Sequence, residues 1–256
     1  MSSLKAYIKK EFLEGLRTHK FLILIAGILF FAVLDPVMMK VLPDILKSQL
    51  GDIDMSSMVD FSQRGVMNSH FKNLFQISTF VIAIALMGIV AGEKSEKTLT
   101  MPVSMGCNQS SVILAKWIVY SGVLTVTVVI GMLFAYFYAG LLFENHFASY
   151  AIIIKAGLLH GMYFSFLVSL LIALSTLFKN AFLSGIITLI TAFGMAAMGS
   201  FFPIIERFLP TQLLTEAKMF NLLPSVDLGV SMIWTIGSIA LLLIFSATKL
   251  KSDELV

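Results

Sequence analysis

Few residues in this chain have the types and spacing for chemistry, and the strongest of them lie inside apolar stretches. His160, with Ser165 and Ser169 further along, supplies the residue types of a nucleophile and its base. An intramembrane hydrolase would need such a pair at membrane depth. The sequence has no Gly-x-Ser-x-Gly, no paired glutamates within an apolar stretch and no His-rich metal motif, so a hydrogen-bonded structural histidine is the expectation. Gly88-x-x-x-Gly92-Glu93-Lys94 has a passing likeness to a phosphate cradle, but its spacing is wrong and no Ser or Thr follows the lysine. Small residues at that spacing serve more simply as helix-packing points. Asp35 either marks a helix end and reaches the lipid headgroups or stands in a path through the membrane. The single cysteine, Cys107, cannot form an internal disulfide, and no Cys/His cluster suggests a structural metal.

The elements that carry these residues follow from solvent preference. Apolar residues make up 58% of the 256 and charged residues only 13%, with a mean hydropathy of +0.92. A soluble domain has about 45–50% apolar and about 25% charged residues, so the surplus belongs against lipid. A bilayer core needs about 20 apolar residues per helix. Six stretches qualify: 21–42, 74–92, 117–143, 151–178, 181–202 and 228–248. The first is the weakest, because Asp35-Pro36 interrupts it after Leu34. It also resembles a secretory signal, yet no A-x-A-like site follows and five further spans do. The fold class expected is all-α, one membrane domain of six transmembrane helices over 1–256.

Orientation follows from cation placement. Lys5, Lys9, Lys10, Arg17, Lys20, Lys94, Lys97, Lys116, Lys179, Lys249 and Lys251 fall on one side. Lys40, Lys47, Arg64, Lys72, Arg207 and Lys218 fall on the other, diluted by acidic residues. Both termini are therefore expected in the cytoplasm, with Lys155 snorkelling outward. No basic patch interleaved with aromatics points to nucleic acid.

Four pieces lie outside the spans. Residues 43–72 read as a polar outer loop with room for short helices, one of them near 43–50. Residues 3–20 read as a basic amphipathic helix, with Leu4, Tyr7, Ile8, Phe12 and Leu16 on one face, although Glu11 falls inside the apolar arc. Residues 93–116 form a mixed polar connection, with Asn108 as an N-cap. Residues 203–227 are apolar but broken by Pro203, Pro210 and Pro224, which predicts a re-entrant hairpin packed on protein between spans five and six.

KKEFLEGLRTHKFLILI, LDPVMMKVLPDIL, GIVAGEKSEKTLTMPVS and the Lys116 that opens the third span together resemble the ABC-2 type permeases, the membrane subunits of bacterial ATP-binding cassette exporters. That family has an amphipathic elbow helix before the first span. A Glu-rich turn, Gly-Thr-Leu and Pro-x-Ser follow the second. Lys97 stands where the family commonly has Gly, and Gln109 where it often has Arg. The resemblance implies a permease for a peptide, antibiotic or other amphipathic substrate, in the cytoplasmic membrane and without an ATPase site of its own. It implies as partners a second permease chain and two ATPase subunits, which would bind ATP and Mg. Contacts to the ATPases are implied for Glu11, Arg17, Glu93, Lys94, Glu96, Lys97, Thr98, Pro102, Ser104, Gly106 and Gln109. Because the family's second and fifth spans face the path, Asn73, Gln76, Thr79, Thr188, Thr191 and Met195 are expected along it, with Asp35 from the first span. The alternatives are a secondary transporter, which would usually show internal repeats, and a non-transporting anchor or immunity subunit.

Overall fold

The computed structural model describes residues 3–50, 60–99, 108–143, 147–221 and 225–253, without the side chains at 46, 47, 49 and 50. Every regular element among them is helical: α1 (Ser3–Arg17), α2 (Lys20–Leu50), α3 (Gln63–Leu86), α4 (Ala91–Ser95), α5 (Gln109–Phe143), α6 (Tyr150–Leu177), α7 (Ala181–Phe201), α8 (Pro203–Glu206), α9 (Gln212–Lys218) and α10 (Val226–Ser252). Six segments are long and apolar enough to cross a membrane: Lys20–Ile45, Gln63–Ser95, Gln109–Phe143, Tyr150–Leu177, Ala181–Phe201 and Val226–Ser252. Backbone amides have no water to bond in a bilayer, so the chain satisfies them along each helix.

α6 is the hub. It packs against α5, α10, α9 and α7, and Tyr163, Phe164, Leu167, Val168 and Leu171 are buried along it. α7 and α10 lie outermost, and Phe182, Ile190, Ile233 and Leu241 on them face outward. An apolar side chain facing outward in a membrane span meets lipid or another apolar helix instead of water.

Two span boundaries differ from expectation. The first helix does not end at 42; it runs through Pro36 and Pro43 to Leu50. Neighbouring helices make such prolines tolerable in a membrane. The stretch expected as a separate short helix at 43–50 is the end of this one. The second span starts at Gln63 instead of Leu74, because its polar first turns are bonded to protein. Ser62 caps the helix by accepting from the Gly65 amide, and Gln63 Nε2 donates to the Tyr136 carbonyl at 3.0 Å. Gly65 is required here: a Cβ would lie 1.7 Å from the Asp60 carbonyl oxygen.

The same span is broken at its other end. α3 stops at Leu86, and α4 begins after a turn at residues 87–90. Of the two glycines expected as packing points, Gly88 faces the Ala181 Cβ, whereas a Cβ at Gly92 would meet nothing within 4 Å among the described residues. In the segment between α7 and α10, α8 is exposed. α9 packs against α6, α10 and α3, with Leu213, Leu214 and Ala217 buried.

Candidate functional site

The middle of α1, the short α4 and the start of α5 meet in a network of charges. α1 lies across α5 and α2, and at Gly15 the absence of a Cβ lets the Phe21 ring sit against the helix. Glu11 projects from the apolar face of α1 and is completely buried; Lys116, at the base of α5, is 1% exposed. Their charged atoms are 2.9 Å apart, and Lys116 Nζ is also 2.9 Å from Glu93 Oε2 on α4. Lys10 bridges Glu11 at 2.9 Å and Glu14 at 2.8 Å and also donates to Glu93; Lys20 reaches Glu14 at 3.2 Å. Three carboxylates face three ammoniums, so the network as a whole is neutral, with Lys10 at its exposed edge. Charges at this depth are tolerable only when paired in this way.

The pairing sets the protonation of the exposed members. Burial alone would lower Lys10, but the Glu93 and Glu11 carboxylates override it and hold the ammonium well above its ordinary range. Burial would likewise raise Glu14, yet the hydrogen bond and charge of Lys10, with Lys116 and Lys20, hold it at about 2. Carboxylate oxygens of Glu11, Glu14 and Glu93 lie within 4.8 Å of one another, a spacing that could hold a cation. Their partners among the described residues are the lysine ammoniums, which already supply the positive charge.

Lys94 begins a second set. It donates to the Thr176 carbonyl at the end of α6 (2.7 Å) and to Asp253, which also accepts from Lys249 at 2.6 Å. Burial would raise the Asp253 carboxyl, but the hydrogen bonds from Lys249 and Lys94 hold it below its ordinary value. α4 then ends in a Schellman motif: the Lys97 amide bonds the Lys94 carbonyl at 3.2 Å and the Thr98 amide bonds the Glu93 carbonyl at 3.0 Å. Lys97 occupies the left-handed position with φ 56°. Glycine takes that conformation without strain, which gives a backbone reason for a Gly in the related permeases. The break before α4 is repaired by Ser175 on α6. Its hydroxyl accepts from the Val90 and Ala91 amides at 3.1 and 2.9 Å and donates to the Met87 carbonyl at 3.2 Å.

The expected contact residues therefore divide. Glu11 is buried, and Glu93 and Lys94 point into the bundle, so these three hold helices together instead of presenting their charges outward. The reason is electrostatic: each meets an opposite charge or a carbonyl inside. Arg17, Glu96, Lys97 and Thr98 are exposed, and Gln109 is half-buried. Pro102, Ser104 and Gly106 lie outside the described residues.

Nearer the other end, α2 and α3 share a polar cluster. Asp35 is 4% exposed; its Oδ2 stands 2.7 Å from His70 Nδ1, and its Oδ1 accepts from Asn73 Nδ2 at 2.6 Å. The helix-end reading of Asp35 is thus corrected: it sits mid-helix, bound to the neighbouring span. His70 was missed by sequence reasoning because it falls among polar residues that read as a loop.

Of the other expected path residues, Gln76 is exposed, Thr191 and Met195 are half-buried, and Thr79 and Thr188 are buried. Thr79, Thr188 and Thr191 donate to the carbonyls of Phe75, Ser184 and Ile187, one turn back on their own helices. His160 is buried between Phe71 and Phe164, and neither nitrogen has a hydrogen-bond partner among the described residues, in contrast to the bonded histidine expected. Ser165 and Ser169 donate to Gly161 and Phe166 carbonyls, so no serine–histidine pair forms there.

Comparison with known proteins agrees with this architecture. The chain is 24% identical over 259 residues to the uncharacterized transmembrane protein YxlG of Bacillus subtilis (strain 168), covering 99% of each chain. Residues 6–240, from α1 into α10, match the family described as ABC-2 family transporter protein. This chain belongs to the ABC-2 transporter family, as a multi-pass membrane component.

Proposed function

We propose that the chain is the permease subunit of an ATP-binding cassette exporter, driven by two separate ATPase subunits that bind ATP and Mg. The supporting observation is the buried network Glu11–Lys116–Glu93. It welds an amphipathic helix outside the membrane to the inner ends of the second and third spans. A push on α1, or on the exposed turn Glu96–Thr98 beside α4, reaches both spans through paired charges that are too costly to separate singly. A rigid element of this kind can bias spans between two arrangements, provided the partner binds those arrangements with different affinity.

In this reading the end carrying α1, α4 and the end of α10 faces the cytoplasm of a bacterial cell, in keeping with its excess of Lys and Arg. The largely outward-facing α7 and α10 leave apolar surface for a second permease chain as well as for lipid. The path between the chains would carry a peptide, antibiotic or other amphipathic substrate past Gln76, Thr191 and Met195. Mild solubilisation followed by affinity capture tests the partnership: a soluble Walker-motif ATPase copurifies with the chain. Its absence from capture out of the native membrane counts against the exporter reading.

A further inference from the structure

The start of α5 and the end of α10 leave an open groove of about 330 Å³ between them. Its walls follow from helix periodicity. Leu243, Ile244, Ala247, Thr248 and Lys251 form one stripe of α10, and Ser110, Ile113 and Leu114 form one of α5. The groove changes character along its length. Within the spans it is aliphatic, with Ile113 and Leu243 buried as its floor and Leu114 and Ile244 exposed as its rims. At the helix ends it is polar, and Ser110, Thr248 and Lys251 are exposed. From Leu243 to Lys251 is about 12 Å along the helix, at 1.5 Å per residue.

The depth of this change is marked by α1. The Ser3 and Ser111 hydroxyl oxygens are 2.9 Å apart, so the start of α1 touches the first turn of α5, one residue from Ser110. α1 lies outside the spans and leaves Phe12 and Leu16 exposed. Such side chains on a basic amphipathic helix rest in the headgroup layer of a bilayer. The polar mouth of the groove accordingly sits at the level of lipid phosphates, and its aliphatic part at the level of acyl chains.

The mouth carries an unbalanced charge. Asp253 is shared by Lys249 and Lys94, and these two hold its carboxylate. Lys251 has no ion-pair partner among the described residues. The Thr248 hydroxyl is committed to the Phe245 carbonyl at 2.9 Å, whereas the Ser110 hydroxyl makes no hydrogen bond to the described residues. A phosphate at the mouth therefore meets an ammonium and a hydroxyl donor. A zwitterionic headgroup brings its own ammonium, so an unpaired lysine favours a headgroup of net negative charge. An irregular peptide laid in the aliphatic half would carry unpaired amides into hydrocarbon, which an acyl chain does not.

We propose that this groove binds one anionic phospholipid per chain, with its phosphate at Lys251 and Ser110 and an acyl chain over Ile113, Leu114, Leu243 and Ile244. The lipid bridges the third and sixth spans at the end where α1 docks. It uses none of the residues of the Glu11–Lys116–Glu93 network.

Native mass spectrometry tests this on the purified chain, delipidated in a neutral detergent and titrated with dioleoylphosphatidylglycerol or dioleoylphosphatidylcholine. The first phosphatidylglycerol should bind at one per chain and about fivefold tighter than phosphatidylcholine, the effect of one lysine near a membrane surface. Lys251→Gln should bring phosphatidylglycerol down to the phosphatidylcholine value. Lys179→Gln, at an exposed lysine outside the groove, should leave the preference intact. Ala247→Trp, which fills the groove between its two halves, should weaken the first step for both lipids; if it fails to fold, Lys251→Gln decides. An excess of inorganic phosphate should displace no lipid. Displacement would make this a site for a free anion and overturn the proposal. So would the absence of a one-per-chain step, or a preference that survives Lys251→Gln. Loss of the lipid from dimers of the chain would place a second copy in the groove and overturn it as well. No ATPase is needed, so failure leaves the permease reading untouched.

Discussion

Lys116 Nζ stands 2.9 Å from Glu11 Oε1, with both side chains out of solvent and 105 residues apart in the chain. The contact fixes a helix outside the spans to the base of the third span. Truncating one partner of such a pair leaves the other buried and uncompensated, at a cost of about 3–5 kcal/mol. Lys116→Met should therefore lower the thermal midpoint of the purified protein, because it removes the buried cation shared by Glu11 and Glu93 and leaves both to the more exposed Lys10. Glu11→Gln should cost less, since Lys116 keeps Glu93. A double replacement, Glu11→Leu with Lys116→Met, should recover part of the loss; no recovery would mean that packing, not charge, sets the cost.

Ser175 answers two amides at the break between α3 and α4. Replacing it with Ala leaves the Val90 and Ala91 amides without that acceptor, at about 1–3 kcal/mol. Hydrogen exchange at these two amides should accelerate. Ser169→Ala is the control, because that hydroxyl bonds only within its own helix; equal effects of the two changes would count against the account.

Lys97, at φ 56°, occupies a position that suits glycine. Lys97→Gly should raise stability by up to about 1 kcal/mol through relief of backbone strain, and Lys97→Val should lower it. Thermal melts of the two variants decide this, and a loss of stability with glycine would refute the local reading.

Acid should loosen α1. Glu14 titrates at about 2 in the folded chain, because Lys10 bonds and attracts it in spite of burial; its ordinary value is 4.5. A depressed carboxylate contributes stability above its unfolded value, and that contribution fades as pH falls from about 4.5 towards 2. Limited proteolysis of α1 should thus increase between pH 5 and 3 in the wild type. Glu14→Gln should show a smaller change; an undiminished one would place the acid response elsewhere.

The six spans were legible because each contains a long apolar run, and the fold class needed little more. Glu11 was also visible as an anomaly, a carboxylate on the apolar arc of a helix, and Lys116 is the cation that explains it. The start of α3 was not legible. Gln63, Arg64, Asn68, His70 and Lys72 read as a loop, whereas the Tyr136 carbonyl binds Gln63 and the Asp35 carboxylate binds His70 Nδ1 inside the bundle. That misreading concealed the partner of Asp35. Local composition also could not show that Glu93 and Lys94 turn inward, since their partners lie on α5, α6 and the end of α10.

The proposed role is transmission of work done by a separate ATPase. It is tested most directly by ATP hydrolysis of the copurified subunit, measured alone and with the chain in nanodiscs. The account predicts a higher rate with the wild-type chain and a reduced stimulation with Lys116→Met under conditions where that variant is folded. Equal rates with and without the wild-type chain would contradict it.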